Sequence, residues 1–159
     1  DISGFQLDPD LSYLVADREV GAVLMHNQRG REHHDVIDDI TSGFITSLSV
    51  CDSAGVDSAK LILDPGFGFG WSVSQNLEIL RRLPELVHLE LPLLIGTSKK
   101  SSIGTVLGSR VGERLFGTAA TVAHAICAGI DVVRIHDGSE MRDVVTMSDA
   151  IVRQRGSVG

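Results

Sequence analysis

Three short clusters in this chain combine residue types that handle polar, planar or anionic ligands. The first is Leu63-Asp64-Pro65-Gly66-Phe67-Gly68-Phe69-Gly70. A carboxylate followed by closely spaced glycines makes a tight loop whose backbone can approach a flat ligand. Ionised Asp64 can accept two hydrogen bonds side by side, which suits the amidine edge of an aminated heterocycle. The same residues would also serve as an Asx-type turn between a strand and a helix. The second cluster, Ile95-Gly96-Thr97-Ser98-Lys99-Lys100-Ser101-Ser102, sets two lysines among hydroxyls ahead of a helix. That arrangement favours an anion or a carbonyl oxygen, although a solvated basic turn would look alike. The Gly-x-x-x-x-Gly-Lys spacing of a nucleotide phosphate loop is absent. In the third, Arg134-Ile135-His136-Asp137, strand alternation places Arg134 and His136 on one face. An arginine on a buried side is costly without an anionic partner. The pair therefore reads as a pyrophosphate or carboxylate site, or as an ion pair with a nearby acid.

The elements that must position these clusters alternate. Ala22 to Met25, Leu61 to Leu63, Leu93 to Ile95 and Val132 to Ile135 are short runs, apolar throughout except for Arg134, the habit of parallel strands covered on both faces. Between them, Asp35 to Ala54 carries apolar residues at helical spacing and stops at Gly55. Ser74 is a candidate cap for a helix whose Leu77, Leu80 and Leu83 face inward as far as Pro84. Val111 to Ala128 and Met141 to Arg155 read as further helices. This is the βαβα pattern of an α/β fold. Each chemical cluster falls at the C-terminal end of a strand, the edge where parallel α/β sheets and barrels build their sites. Met25, Asp64, Ser98 and His136 are 39, 34 and 38 residues apart, a mean period of 37. Eight such units would need about 300 residues, the usual size of a (βα)8 barrel. The chain holds about four, so it is expected to be either a small complete sheet or the C-terminal half of a TIM barrel.

Composition narrows the partners. The 159 residues include 14 Lys and Arg against 21 Asp and Glu, a net charge of −7. That balance disfavours nucleic acid and anionic membranes, which call for a basic face. No apolar run approaches the roughly 20 residues that span a bilayer, and no leader-like pattern opens the chain. Two cysteines, Cys51 and Cys127, are too few for a disulfide framework and fit a reducing cytoplasm. Neither has a nucleophile motif. His33 and His34 lack a third ligand at metal-site spacing, His124 reads as structural, and Trp71 packs on or covers the glycine loop.

In order and spacing, the three clusters resemble dihydropteroate synthase. Leu24-Met25-His26, Glu113-Arg114-Leu115 and the opening Asp1-Ile2-Ser3-Gly4 extend that resemblance over essentially the whole chain. It implies an enzyme of folate synthesis, a (βα)8 barrel and sulfonamide target, that joins 4-aminobenzoate to C9 of 6-hydroxymethyl-7,8-dihydropterin pyrophosphate. By the same resemblance, Asp64 binds the pterin amino and ring nitrogens and Met25 lines the pterin cleft. Lys100 touches the pterin carbonyl region beside the aminobenzoate. Ser98 meets the aminobenzoate carboxylate, with Gly68, Phe69 and Gly96 lining the pocket. Arg134 and His136 hold the leaving pyrophosphate.

The resemblance also implies Mg²⁺, its main ligand expected upstream of Asp1. A half barrel would leave two raw strand edges, so a homodimer is expected. Lys99 stands where the family usually has Arg, and Trp71 where it often has Lys. Residues 1–159 are expected to be the C-terminal portion of one pterin-binding barrel domain, about strands five to eight, inactive by themselves. A non-catalytic pterin-binding paralogue and a pterin-binding methyltransferase domain are the alternatives. The latter would not need the Ser98-Lys99-Lys100 and Arg134-Ile135-His136 apparatus.

Overall fold

The structure is a computed structural model that describes residues 1–28, 30 and 35–153. Four short parallel strands lie side by side in chain order. β1 (Ala22–Met25) pairs with β2 (Leu61–Asp64), Met25 opposite Asp64. β3 (Leu94–Ile95) pairs with β4 (Val132–Val133), and a parallel bridge from Leu63 to Leu93 joins the two pairs. Among the described residues the strand order never reverses, so there is no switch point of the kind that marks an open doubly wound sheet. On the far side of β1 from β2, Met25 N donates to Asp1 O at 2.9 Å, and the Asp1 amino group donates to Val23 O.

Among the described residues six helices accompany the strands: α1 (Asp10–Asp17), α2 (Val36–Ala54), α3 (Val73–Val87), α4 (Ser101–Leu107), α5 (Leu115–Cys127) and α6 (Gly138–Arg153). Leu24, Leu63 and Ile95 from the strands and Leu93 just before β3 pack with Ile40, Phe44, Ile79 and Leu83 of the helices to form the core. Asp35 caps α2 by accepting from Ile37 N and Asp38 N. It also takes Arg82 of α3 at 2.6 Å. The Arg82 hydrogen bond, followed by the Asp38 amide, holds its carboxyl below the usual carboxylate range.

Several boundaries differ from those the sequence suggests. Ser72, not Ser74, caps α3, in a reciprocal capping box with Gln75. Leu80 and Leu83 are buried, but Leu77 is 39% exposed. The helix also runs through Pro84 to Val87. Proline cannot donate to the carbonyl four residues back, which orphans Leu80 O. His124 Nε2 supplies that donor at 2.9 Å from the neighbouring α5, so the turn survives. Val111–Glu113 is a separate 3-10 turn, in which Glu113 accepts from Arg110 N at 3.1 Å; α5 therefore starts later than its apolar pattern implies. α6 starts earlier, at Gly138. α1 lacks a side-chain cap and leaves Tyr13 and Leu14 exposed, so it carries little helical signal.

Candidate functional site

The C-terminal strand ends enclose a cleft of about 300 Å³ lined by Met25, Asp64, Phe69, Gly96, Lys100 and Arg134 among others. Six residues singled out in the sequence thus share one wall system. β1 contributes Met25, β2 contributes Asp64, and the segments after β3 and β4 contribute Lys100 and Arg134.

Asp64 is fixed from two sides. His26 N donates to its carbonyl at 2.9 Å, and its Oδ1 accepts from Gly66 N at 2.8 Å. The Asx-type turn therefore exists, but it uses only one oxygen. Oδ2 has no hydrogen-bond partner among the described residues and is left for a ligand. Burial pushes the carboxyl above its usual range, against the Gly66 amide, Lys100, Arg134 and the amino terminus. Gly66 has φ +73°, and a Cβ there would lie 1.9 Å from His26 O, so no other residue fits the turn.

Lys100 reaches back across the glycine loop. Its Nζ donates to Phe67 O at 3.0 Å and sits 4.3 Å from the Phe69 ring centroid. A Cβ at Gly68 would stand 3.0 Å from Lys100 Cδ, so the bare glycine gives the lysine its path. Burial lowers the ammonium pKa, with Asp64 raising it and Arg134 lowering it further.

Arg134 and His136 require a correction. β4 ends at Val133, and the last ladder bond runs from Arg134 N to Ile95 O at 3.0 Å. Both side chains thus lie beyond the strand, and both residues are exposed rather than on a buried face. Arg134 forms no ion pair among the described residues, so its charge remains available to an anion. Ser98 is buried, and its Oγ accepts from His136 N at 3.2 Å. It also pairs with His136 Nδ1 at 3.0 Å, leaving Nε2 as the outward nitrogen. Ser98 and His136 are therefore joined beside the cleft rather than on its wall. Lys99 is not a solvated residue: its Nζ pairs with Asp137 at 2.7 Å.

The sequence places His26 in the Leu24-Met25-His26 match but assigns it no role. It is 1% exposed, pairs through Nε2 with Asp39 at 2.7 Å, and lies 5.9 Å from the Trp71 ring. Trp71 thus packs behind the glycine loop and is buried. The available signal was Gly43 inside α2, where a Cβ would come within 2.0 Å of His26 Nδ1; glycine within a helix marks such close approach. His33 and His34 lie outside the described residues. Cys51 is buried and Cys127 exposed, and burial pushes the Cys51 thiol up. A larger, apolar hollow of about 460 Å³ lies between α3 and α5, lined by Leu77, Leu80 and Ala120 among others. It has little of the charge gathered at the strand ends.

A carboxylate, an ammonium and a guanidinium with no ion pair among the described residues, around one cleft, suit a polar ring bearing an anionic group. The profile of one family, described as "Pterin binding enzyme", matches residues 1–136. The chain belongs to that family. Dihydropteroate synthase of Bacillus subtilis is 38% identical over 156 residues, 98% of this chain and 55% of the relative. That of Clostridium beijerinckii is 39% identical over 97% of this chain and 58% of its own length. Among solved pterin-binding structures, Clostridium difficile dihydropteroate synthase in the presence of pteroic acid superposes with a TM-score of 0.93 at 41% identity. It covers 96% of this chain and 59% of that one. Yersinia pestis dihydropteroate synthase with a sulfonamide drug gives a TM-score of 0.91 at 33% identity, over 98% and 59%. The chain thus spans a little over half the length of the relatives it matches. No described helix is long and apolar enough to cross a membrane.

Proposed function

We propose that this chain carries the pterin and pyrophosphate side of a dihydropteroate synthase site, on the C-terminal half of a (βα)8 barrel. The observation that carries this reading is that Asp64 Oδ2 and the Arg134 guanidinium, neither with a protein partner among the described residues, both line one cleft. Asp64 accepts from the pterin amino group and ring nitrogen, and Met25 supports the ring. Lys100 faces the pterin carbonyl, with Gly68, Phe69 and Gly96 shaping the aminobenzoate side. Ser98, buried and bonded to His136, holds that imidazole in place beside the cleft. Sequential parallel strands, and Asp1 bonded alongside β1 as a further strand residue would be, support the barrel.

In the reaction the C9–O bond breaks and pyrophosphate leaves with the electron pair. Arg134 and the outward His136 nitrogen stabilise that departing charge. The aminobenzoate nitrogen then bonds to C9 and gives up a proton. Holding the amine beside C9 makes this step effectively unimolecular. Mg²⁺ would neutralise pyrophosphate charge, but no three His, Cys, Asp or Glu among the described residues gather as ligands. The described residues form no protein cage for it.

These 159 residues alone do not complete the barrel in this proposal, and turnover requires its remaining strands. The exposed Phe116, Met147 and Ile151 give a homodimer an apolar face to bury. Titration with dihydropterin pyrophosphate and then a sulfonamide tests the reading: sulfonamide binding only after the first ligand supports it, and indifference to the first ligand refutes it.

A further inference from the structure

Three consecutive residues after β3 send their side chains to three destinations. Ser98 bonds to His136, Lys99 to Asp137 at 2.7 Å, and Lys100 to the cleft loop at Phe67 O. The divergence depends on Lys99, whose backbone has φ +57°, a left-handed conformation that a non-glycine residue seldom adopts. The neighbours impose it. Lys99 N donates to Thr118 Oγ1 at 3.2 Å, and Lys99 O accepts from Arg114 Nη1 at 2.8 Å. Arg114 lies across the bare face of Gly104, where a Cβ would collide with its guanidinium.

Asp137 shows a matching preference. It stands immediately before α6, and its carbonyl accepts from Met141 N at 3.0 Å, so it occupies the position where an aspartate ordinarily caps the helix. No first-turn amide of α6 bonds to its carboxylate among the described residues. Oδ1 instead takes Lys99, and Oδ2 is buried without a hydrogen-bond partner among the described residues. A carboxylate so placed depends on its one cation.

We propose that Lys99 and Asp137 are a positioning pair. With Ser98 and His136 they staple the segment after β3 to the segment after β4, and so hold Lys100 and Arg134 at a set separation across the cleft mouth. Lys99 spends its charge on Asp137 and does not itself bind the anion. This inference rests on the anion-site reading above and adds to it the means by which the site is held open and aligned.

The test is calorimetric titration of inorganic pyrophosphate into the wild-type protein, K99M, D137N, K99R and the K99M/D137N double variant. Thermal melts of each protein identify loss of folding. A positioning pair predicts that K99M and D137N each weaken pyrophosphate binding by about tenfold. The double variant is then no weaker than either single one, and K99R, which still reaches Asp137, stays within about twofold of wild type. Affinity for a pterin lacking phosphate, which rests on Asp64 as well as Lys100, falls less than affinity for pyrophosphate in each variant. If Lys99 were itself an anion contact, D137N would free it and tighten binding, and that result overturns the proposal. So does unchanged binding in D137N, the variant that keeps every cation should K99M fail to fold. Failure of the wild type to bind pyrophosphate would instead refute the anion-site reading and this inference with it, a distinct outcome.

Discussion

Asp64 and Lys100 both line the cleft, yet they do not form an ion pair: Lys100 Nζ donates to Phe67 O, and Asp64 Oδ1 is bonded to Gly66 N. Each still feels the other's charge. Lys100 favours the Asp64 carboxylate, and Asp64 favours the Lys100 ammonium. Burial opposes both charged forms. An unpaired arrangement keeps one oxygen and one ammonium available to a ligand at the expense of stability.

That coupling sets a pH dependence. Pterin binding to ionised Asp64 strengthens as pH rises through a carboxyl pKa lying above the ordinary 3.8. The folded carboxyl holds its proton more tightly than the unfolded one, so its effect on stability is a loss across the same rise in pH. Lys100→Met removes the favourable charge and is expected to move the acid limb of pterin binding to higher pH. Titrations of both proteins across acid pH measure that displacement.

Arg134→Ala is expected to weaken pyrophosphate binding by about 2 kcal/mol, within the range for charge-assisted hydrogen bonds. Because Arg134 has no ion-pair partner among the described residues, its removal leaves no buried charge stranded. The melting temperature is therefore expected to stay close to that of the wild type, which calorimetry and a thermal melt together would establish.

Gly66→Ala tests the turn that holds Asp64. The added Cβ meets His26 O at 1.9 Å in a backbone with φ +73°, and neither partner is a flexible side-chain end. A loss of at least about 2 kcal/mol is expected in denaturant unfolding, with pterin binding weakened in whatever protein folds.

His124 and Pro84 form a compensating pair. His124→Ala should cost about 1 kcal/mol because Leu80 O loses the donor that stands in for the proline. In a Pro84→Ala background the helix supplies its own donor, so the same change should cost less. A double-mutant cycle by urea unfolding reads the difference directly.

The site was more legible in the sequence than the boundaries of the elements around it. Asp64, Lys100 and Arg134 could be singled out because a strand's end, a glycine loop and adjacent cations are local patterns. The same locality hides their orientation. Nothing near Ser98 reveals that its hydroxyl bonds to His136, 38 residues away, or that Lys99 turns left-handed and pairs with Asp137. Pro84 looked like a helix end because its missing donor is local and its replacement, His124, comes from another helix. The reach of β4 was overestimated because Ile135 continues the apolar run, although the ladder to β3 ends first.

The central claim is that Asp64 Oδ2 binds the pterin. It is tested most directly by calorimetric titration of 6-hydroxymethyl-7,8-dihydropterin pyrophosphate into the wild-type chain and into Asp64→Asn. The predicted result is one-to-one binding by the wild type and a loss of about 1.5–3 kcal/mol in the variant, the scale of a charge-assisted hydrogen bond. Equal affinity in the two proteins, or no binding by the wild type, would contradict the claim.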